Sequence, residues 1–365
     1  MKKIITLMIT IALASALVAC GGWSITPAPA PSPEPAPAPV QEPVPDDSNA
    51  KWNPDNIREQ RFVLAHGQRE TGMTGLQYHE FAAAVEELSG GLMTVEEKAG
   101  ASLLSDTEAF SGMMDGRADF VHSIGSYAAD TVTDILPMTI TGYYGGNDWL
   151  GFFNNSRGLI EGIFGENGVK YIGALYQGDT VIICSEKQIK SPSDVKGLVF
   201  CATDIEASKT IELWGGVTVT VGLADLAGAF SNNAVKGMAT GLNIIVPYRI
   251  FEVAQYITTT SIAEGFAALL MNGGRWDSLN ADEQALITEA GMVFEQNSYG
   301  IAKRFMDAYM EEVRSLGLNE VYELTSAEQR EFVDLAFSQY PQMEPELSAK
   351  GIELIGLLKR ENGIL

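Results

Sequence analysis

The chain is poor in the residues on which most protein chemistry depends. It holds three histidines and three cysteines in 365 residues, so a metal or nucleophilic centre has few donors to draw on. Basic side chains are scarce as well: 24 Lys and Arg stand against 47 Asp and Glu, giving a formal charge of −23 and a pI of ≈ 4.4. So acidic a surface repels phosphate backbones and anionic lipid headgroups, which argues against nucleic-acid binding and against electrostatic adsorption to a membrane. After the first twenty residues no apolar run is long enough to cross a bilayer. No G-x-G-x-x-G follows a candidate strand, and neither a phosphate-binding loop nor a G-x-S-x-G elbow occurs. No cofactor is expected.

What is present begins at the N-terminus. Lys2 and Lys3 precede the apolar run Ile4–Ala16, and Leu17-Val18-Ala19-Cys20 reads as a lipobox. Cleavage after Ala19 makes residues 1–19 a signal peptide and Cys20 the lipid-modified first residue; an ordinary secretory signal and an uncleaved anchor are the alternatives. Loss of the two leader lysines takes the charge from −23 to −25. From Pro27 to Pro45 nearly every second residue is proline, the composition of a polyproline stalk reaching about 60 Å. Residues 20–57 are therefore expected to form a tether, with folding starting near Arg58. The protein is expected outside the bacterial cytoplasmic membrane, at the cell surface or in the periplasm, held by its lipid. In that compartment Cys184 and Cys201 are either bridged or buried as small side chains on neighbouring strands.

The remainder alternates strands with helices. Phe62–Ala65, Met93–Glu96 and Ala118–His122 read as strands between helices at Thr74–Leu88 and Thr107–Asp115. Lys170–Leu175, Val181–Cys184, Leu198–Cys201 and Val217–Val221 repeat the logic, with helices from about Ile205 and Leu223. Two α/β units with parallel sheets are predicted. Asn280 with Glu283 forms a capping-box pattern, and the apolar series from Leu286 to Val313 sustains a helix of roughly 35 residues, about 50 Å long, up to Gly317. Thr325 with Glu328 starts another. His66 and His122 end predicted strands, where α/β proteins place ligands, but no Cys or His cluster accompanies them and no metal site is expected. The adjacent acidic pairs Glu86-Glu87, Glu96-Glu97 and Glu311-Glu312 read as solvated faces. Tyr143, Tyr144, Trp149 and Tyr176 join the two units, mostly as core or hinge packing.

An ordered series of segments resembles the solute receptors of tripartite ATP-independent periplasmic (TRAP) transporters over roughly Phe62 to Tyr340. The pieces are the helix running to Glu87 with Ser89-Gly90-Gly91, Gly116-Arg117-Ala118-Asp119-Phe120, Leu136-Pro137, Ile189 to Leu198, Asn233-Ala234-Val235, Phe251 to Tyr256, and Trp276 to Leu279 before the Glu283 helix. The resemblance implies a two-domain α/β fold of the periplasmic-binding-protein type, with a ligand cleft and a long helix spanning both domains. Domain I would comprise 58–178 with 266–305, and domain II 179–265 with 306–365. It further implies no chemistry of its own, a small-molecule solute as ligand, TRAP membrane permease subunits as partners and no nucleic acid. A sensor role beside a membrane signalling protein is the alternative, and an extracellular hydrolase or lyase a more distant one.

Carried over position by position, the resemblance assigns ligand contacts to His66, Gln68, Asp106, Ser123, Ile124 and Tyr127 in the first domain. In the second it assigns them to Cys201, Thr203, Leu223 and Thr240. One departure matters: in the family the strand after Lys196-Gly197 usually carries an arginine that grips a ligand carboxylate, and here that position is Cys201. A second arginine, near Thr180 or Val181, is also missing, and Lys236 stands where an acidic residue is common. Asp179, Asp106 and Glu70 then favour a neutral or amino-bearing solute, whereas Lys236 or Arg249 in the arginine's role would restore an organic acid, atypically bound.

Overall fold

Phe62 and Leu64 alternate with Val63 and Ala65 so that both faces of one short segment are apolar and covered, as a central strand between two layers requires. The computed structural model describes residues 51–140, 148–202, 205–263 and 265–364; the leader, Cys20, the proline-rich stalk, Tyr143, Tyr144 and Thr203 lie outside them. In chain order come β1 (Gln60–Ala65), α1 (Met73–Leu88), β2 (Met93–Lys98), α2 (Asp106–Met114), β3 (Phe120–Ile124), α3 (Gly125–Ala128), α4 (Trp149–Gly165) and β4 (Val169–Leu175). Then follow β5 (Asp179–Cys184), β6 (Val199–Ala202), α5 (Ile205–Leu213), β7 (Val217–Thr220), α6 (Leu226–Ser231), β8 (Gly237–Thr240), α7 (Leu242–Ile245) and β9 (Tyr256–Ala263). The last are β10 (Ala267–Asn272), α8 (Gly273–Asp277), α9 (Ala281–Leu316), β11 (Glu320–Glu323), α10 (Ser326–Phe337), α11 (Tyr340–Met343) and α12 (Ala349–Glu361). None of these helices is long and apolar enough to cross a membrane.

The strands form two sheets, ordered β2-β1-β3-β10-β4 and β11-β9-β5-β8-β6-β7. The expectation of parallel sheets holds for β1 with β2 and β3, and for β6 with β7 and β8. It fails for β10, antiparallel to both β3 and β4, and for β5, antiparallel to β8 and β9. The physical reason is connectivity: β10 arrives directly from β9 of the other sheet, so no helical crossover dictates its direction. Four strands were not visible in the sequence pattern: β8, β9, β10 and β11.

Cys184 and Cys201 are both free. Strand β8 lies between their strands, which separates them by two interstrand spacings, about 10 Å. They also face opposite ways. Cys184 groups with Phe200 and Ile211 on one side of the sheet, and Cys201 with Val181, Met238 and Leu226 on the other. No bridge is compatible with that arrangement.

Helix α9 spans 36 residues, about 54 Å. It opens with the capping box of Asn280 and Glu283 and ends at Gly317, whose φ of 62° is the left-handed closing position that glycine accepts without penalty. The folded part begins earlier than Arg58. Asn53 N and Asn56 Nδ2 donate to the Asp282 carboxylate (2.8 and 2.6 Å), Lys51 pairs with Glu289, and Ile57 is buried under the first sheet's cluster. Residues expected to continue the tether thus cap the start of α9. At the other end, α12 packs against Thr133–Met138 and α4, with the Ser348 amide on Asp134 (2.7 Å) and the Lys350 ammonium on the Gly162 carbonyl and Glu166. It therefore sits with first-sheet elements, although its place in the sequence follows the second sheet.

Candidate ligand cleft

The loop between β1 and α1 is shaped by two glycines. A Cβ on Gly67 would stand 2.6 Å from the Asp106 carboxyl, and one on Gly75 would stand 2.2 Å from the Arg69 carbonyl, contacts no side chain tolerates. Asp106, in the first turn of α2, accepts from Gly67 N and Gln68 Nε2, each at 2.8 Å. One carboxylate thereby fixes the turn. Gly72 caps α1 without offering a side chain, so the amides of the first turn have neither a capping group nor an intrahelical acceptor.

The second sheet supplies the opposite wall through Leu223, just after β7, and Asn243, Ile244, Pro247 and Tyr248 on and after α7; Tyr309 of α9 closes the floor. Between the walls lies a cavity of ≈ 410 Å³, lined on the first side by Gly67, Gln68, Arg69, Thr71 to Thr74 and Asp106. Its size suits a small solute. Arg69 reaches across it, with its guanidinium carbon 5.7 Å from the centre of the Tyr248 ring. Asn243 Oδ1 is buried and has no hydrogen-bond partner among the described residues.

Behind this loop lies a buried aromatic cluster. The His66 ring packs 5.0 Å from Tyr78, and the Tyr78 hydroxyl meets His122 Nδ1 at 2.6 Å. Burial pushes the His122 pKa from 6.5 to about 4; the Asp106 charge opposes the fall and His66 adds to it. His122 is thus neutral at ordinary pH. The register that sets Ala65 beside Val121 brings both histidines to the same end of neighbouring strands.

Of the residues the sequence pointed to, Gln68, Asp106 and Leu223 come together on the cavity. His66 does not: it is wholly buried against Tyr78, because the strand alternation turns it under the loop. Ser123 is buried at the end of β3, its hydroxyl on the Ile124 carbonyl at 3.3 Å; Ile124 and Tyr127 are half-buried and, like Thr240, which is buried in β8, stand off the cavity lining. Cys201 is buried in the apolar layer, where desolvation pushes its thiol pKa up. The position that the resemblance gives to a carboxylate-binding arginine therefore carries no charge. Thr180 and Val181 are buried too.

The substitute cations are engaged elsewhere. Lys236 pairs with Glu186 at 2.7 Å and with Asn233 at 3.0 Å, and Arg249 pairs with Glu252; neither lines the cavity. Asp179 accepts from the Tyr176 hydroxyl at 2.7 Å in the link between the sheets, and burial raises its pKa against the opposing Tyr176 bond and Lys303 charge. Glu70 is exposed on the loop. Trp149 and Tyr176 are buried against Tyr299. Sequence reasoning missed Arg69, Asn243, Tyr248 and Tyr309. The signal for Arg69 was there in Gly67-Gln68-Arg69-Glu70-Thr71-Gly72, a glycine-bounded loop between a strand and an uncapped helix.

Residues 64–346 match the family described as bacterial extracellular solute-binding protein, family 7. The C4-dicarboxylate-binding protein DctB of Bacillus subtilis (strain 168) is 24% identical over 307 residues, covering 82% of this chain and 86% of its own. Among solved structures, a TRAP periplasmic solute-binding protein from Ochrobactrum anthropi superposes with a TM-score of 0.76 at 20% identity, covering 84% of this chain and 97% of that one. The periplasmic ectoine-binding protein of the TeaABC TRAP transporter from Halomonas elongata gives 0.71 at 17% identity, covering 84% and 100%. A match over that much of the chain, on a fold of two sheets facing one cleft under one long helix, means that the protein belongs to family 7 of the bacterial extracellular solute-binding proteins, the receptors of TRAP transporters.

Proposed function

We propose that this receptor is tethered outside the cell membrane through a lipid on Cys20 and delivers one small solute from its cleft to the membrane subunits of a TRAP permease. The observation that carries the reading is the cavity itself. Its walls come from different sheets, Gly67 to Thr74 and Asp106 on one side and Leu223 and Asn243 to Tyr248 on the other, so a bound solute bridges both lobes and stabilises the closed population. The lobes are taken as 58–178 with 266–305 and 179–265 with 306–365, apart from α12, which rides on the first. The relatives' names span a C4-dicarboxylate and ectoine, which leaves the solute class open on that ground.

Thermal unfolding of the full chain in a panel of organic acids, uronic acids, amino acids, amines and polyols tests the reading. A midpoint raised by one solute class, with the rise lost on substituting Tyr248 and Tyr309 by alanine, is the expected result. A panel in which nothing binds at millimolar concentration removes the receptor reading. Metabolic labelling with a fatty acid, retained by the wild type and lost in Cys20→Ser, tests the tether separately.

A further inference from the structure

The cleft lining carries two chemically different sets of groups, and together they select the ligand. Arg69 is the only lysine or arginine among the described lining residues, and Gly72, Met73 and Thr74 present the uncapped start of a 16-residue helix. A helix N-terminus carries the equivalent of about half a positive charge, focused on its free amides. The second set consists of acceptors. Asp106 is held in place by Gly67 N and Gln68 Nε2, each oxygen keeping a lone pair, and Asn243 Oδ1 is buried with no donor among the described residues. An unmet buried acceptor is costly, and a turn of the half-buried Asn243 side chain towards the cavity it lines gives that oxygen a ligand N–H.

We propose that the cleft takes a zwitterion of amino-acid size, its carboxylate on Arg69 and the first turn of α1, its ammonium on Asp106 and Asn243. The carboxylate-binding pole has thus moved from the sixth strand, where Cys201 is buried among apolar side chains, to the β1–α1 loop of the opposite lobe. A dicarboxylate has one cation to meet and sets its second charge beside Asp106; a polyol leaves Arg69 without a counter-ion. A net-neutral ligand with separated charges satisfies both sets of groups. Tyr248, already under the Arg69 guanidinium, then holds that side chain over the anionic end.

The inference rests on the receptor reading, and titration calorimetry on the full chain separates the two. The probes are a set of L-amino acids, then the deaminated acid and the decarboxylated amine of whichever binds tightest, with succinate and glucuronate alongside. The zwitterion is expected to bind at least tenfold more tightly than each one-ended analogue and than succinate. Arg69→Gln should weaken zwitterion and acid tenfold or more and leave the amine unchanged. Asn243→Leu should weaken zwitterion and amine and leave the acid unchanged, without disturbing the loop that Asp106 braces; Asp106→Asn should act in the same direction. Succinate or glucuronate binding more tightly than every amino acid overturns the proposal and leaves the receptor reading standing. Full affinity retained in both Arg69→Gln and Asn243→Leu overturns the site, and no heat from any probe overturns the proposal while leaving the receptor reading to the wider thermal panel.

Discussion

The two halves of α9 are held differently. Up to Ser298 the helix adds directional polar bonds to the burial of Leu286, Ile287, Ala290 and Phe294 against the first sheet. Glu283 accepts from Arg58 Nε at 2.8 Å and from Asn280 N at 2.9 Å. Glu295, buried, takes Arg157 Nη2 at 2.5 Å, the Tyr171 hydroxyl at 2.7 Å and Ala174 N at 2.7 Å. Gln77 of α1 donates to the Ser298 carbonyl at 2.8 Å. Beyond it, Met306, Tyr309, Met310 and Val313 lie on the apolar layer of the second sheet. Hydrogen bonds set a register and an angle, whereas apolar contact tolerates sliding, so motion of one lobe against the other is expected after Ser298. Gly178, in the link between β4 and β5, sits there with φ of 104°, and a Cβ on it would reach Met306 Sδ at 2.9 Å. The helix is a fixed post at one end and a bearing at the other.

The largest test of that contrast is Glu295→Gln, which leaves the part-buried Arg157 guanidinium with only its longer carboxylate contact, to Glu161 at 3.4 Å. It should cost about 3–5 kcal/mol in urea unfolding, and a loss under 1 kcal/mol would mean that the polar half is not anchored by this cluster. Val313→Ala on the apolar half removes two buried methyl groups and should cost about 2 kcal/mol, less than the polar variant. A reversed order breaks the comparison.

Acid separates the halves further. The Glu283 pKa is held at about 2 against an ordinary 4.5, since burial, which would raise it, is outweighed by the bonds from Arg58, Asn280 and Gln60. A depressed carboxylate stabilises the fold above pH 4.5, and that contribution is lost as pH falls towards 2. His122, neutral down to about 4 where the free side chain titrates at 6.5, adds an earlier loss between those values. Thermal midpoints across pH 7 to 2 should fall in these two windows, with Glu283→Gln flattening the lower and His122→Gln the upper. An unchanged profile in both variants contradicts the assignment. The smallest effect belongs to Leu223→Ala, at a side chain 37% exposed on the cleft wall. Stability should stay within about 0.5 kcal/mol while affinity for the bound solute falls several-fold; a stability loss above 2 kcal/mol would make Leu223 a core residue instead.

Legibility followed the same physics. The long helix was readable because its caps and apolar stripe are local: Asn280, Glu283 and Gly317 write its ends within the helix itself. Strand β8, Gly237-Met238-Ala239-Thr240, has little intrinsic strand preference and exists because β5 and β6 close on it from distant parts of the chain. The cleft was half legible for a related reason. Gln68, Asp106 and Leu223 follow strands in the pattern the family resemblance carries, while Asn243 and Tyr248 join Arg69 on the cavity lining only after some 170 residues of intervening chain have folded. His66 misled because a strand's end predicts proximity to a ligand but not which way a side chain points.

The scarcity of cysteine leaves the second sheet with one thiol on each face, neither tied to the other. They are two clocks in one sheet. Cys201 can be alkylated only when the layer beneath α6 and α7 opens, Cys184 only when the layer beneath α5 does, so the two reaction rates time the loosening of the solute-facing and outward sides of a single lobe without any label being added.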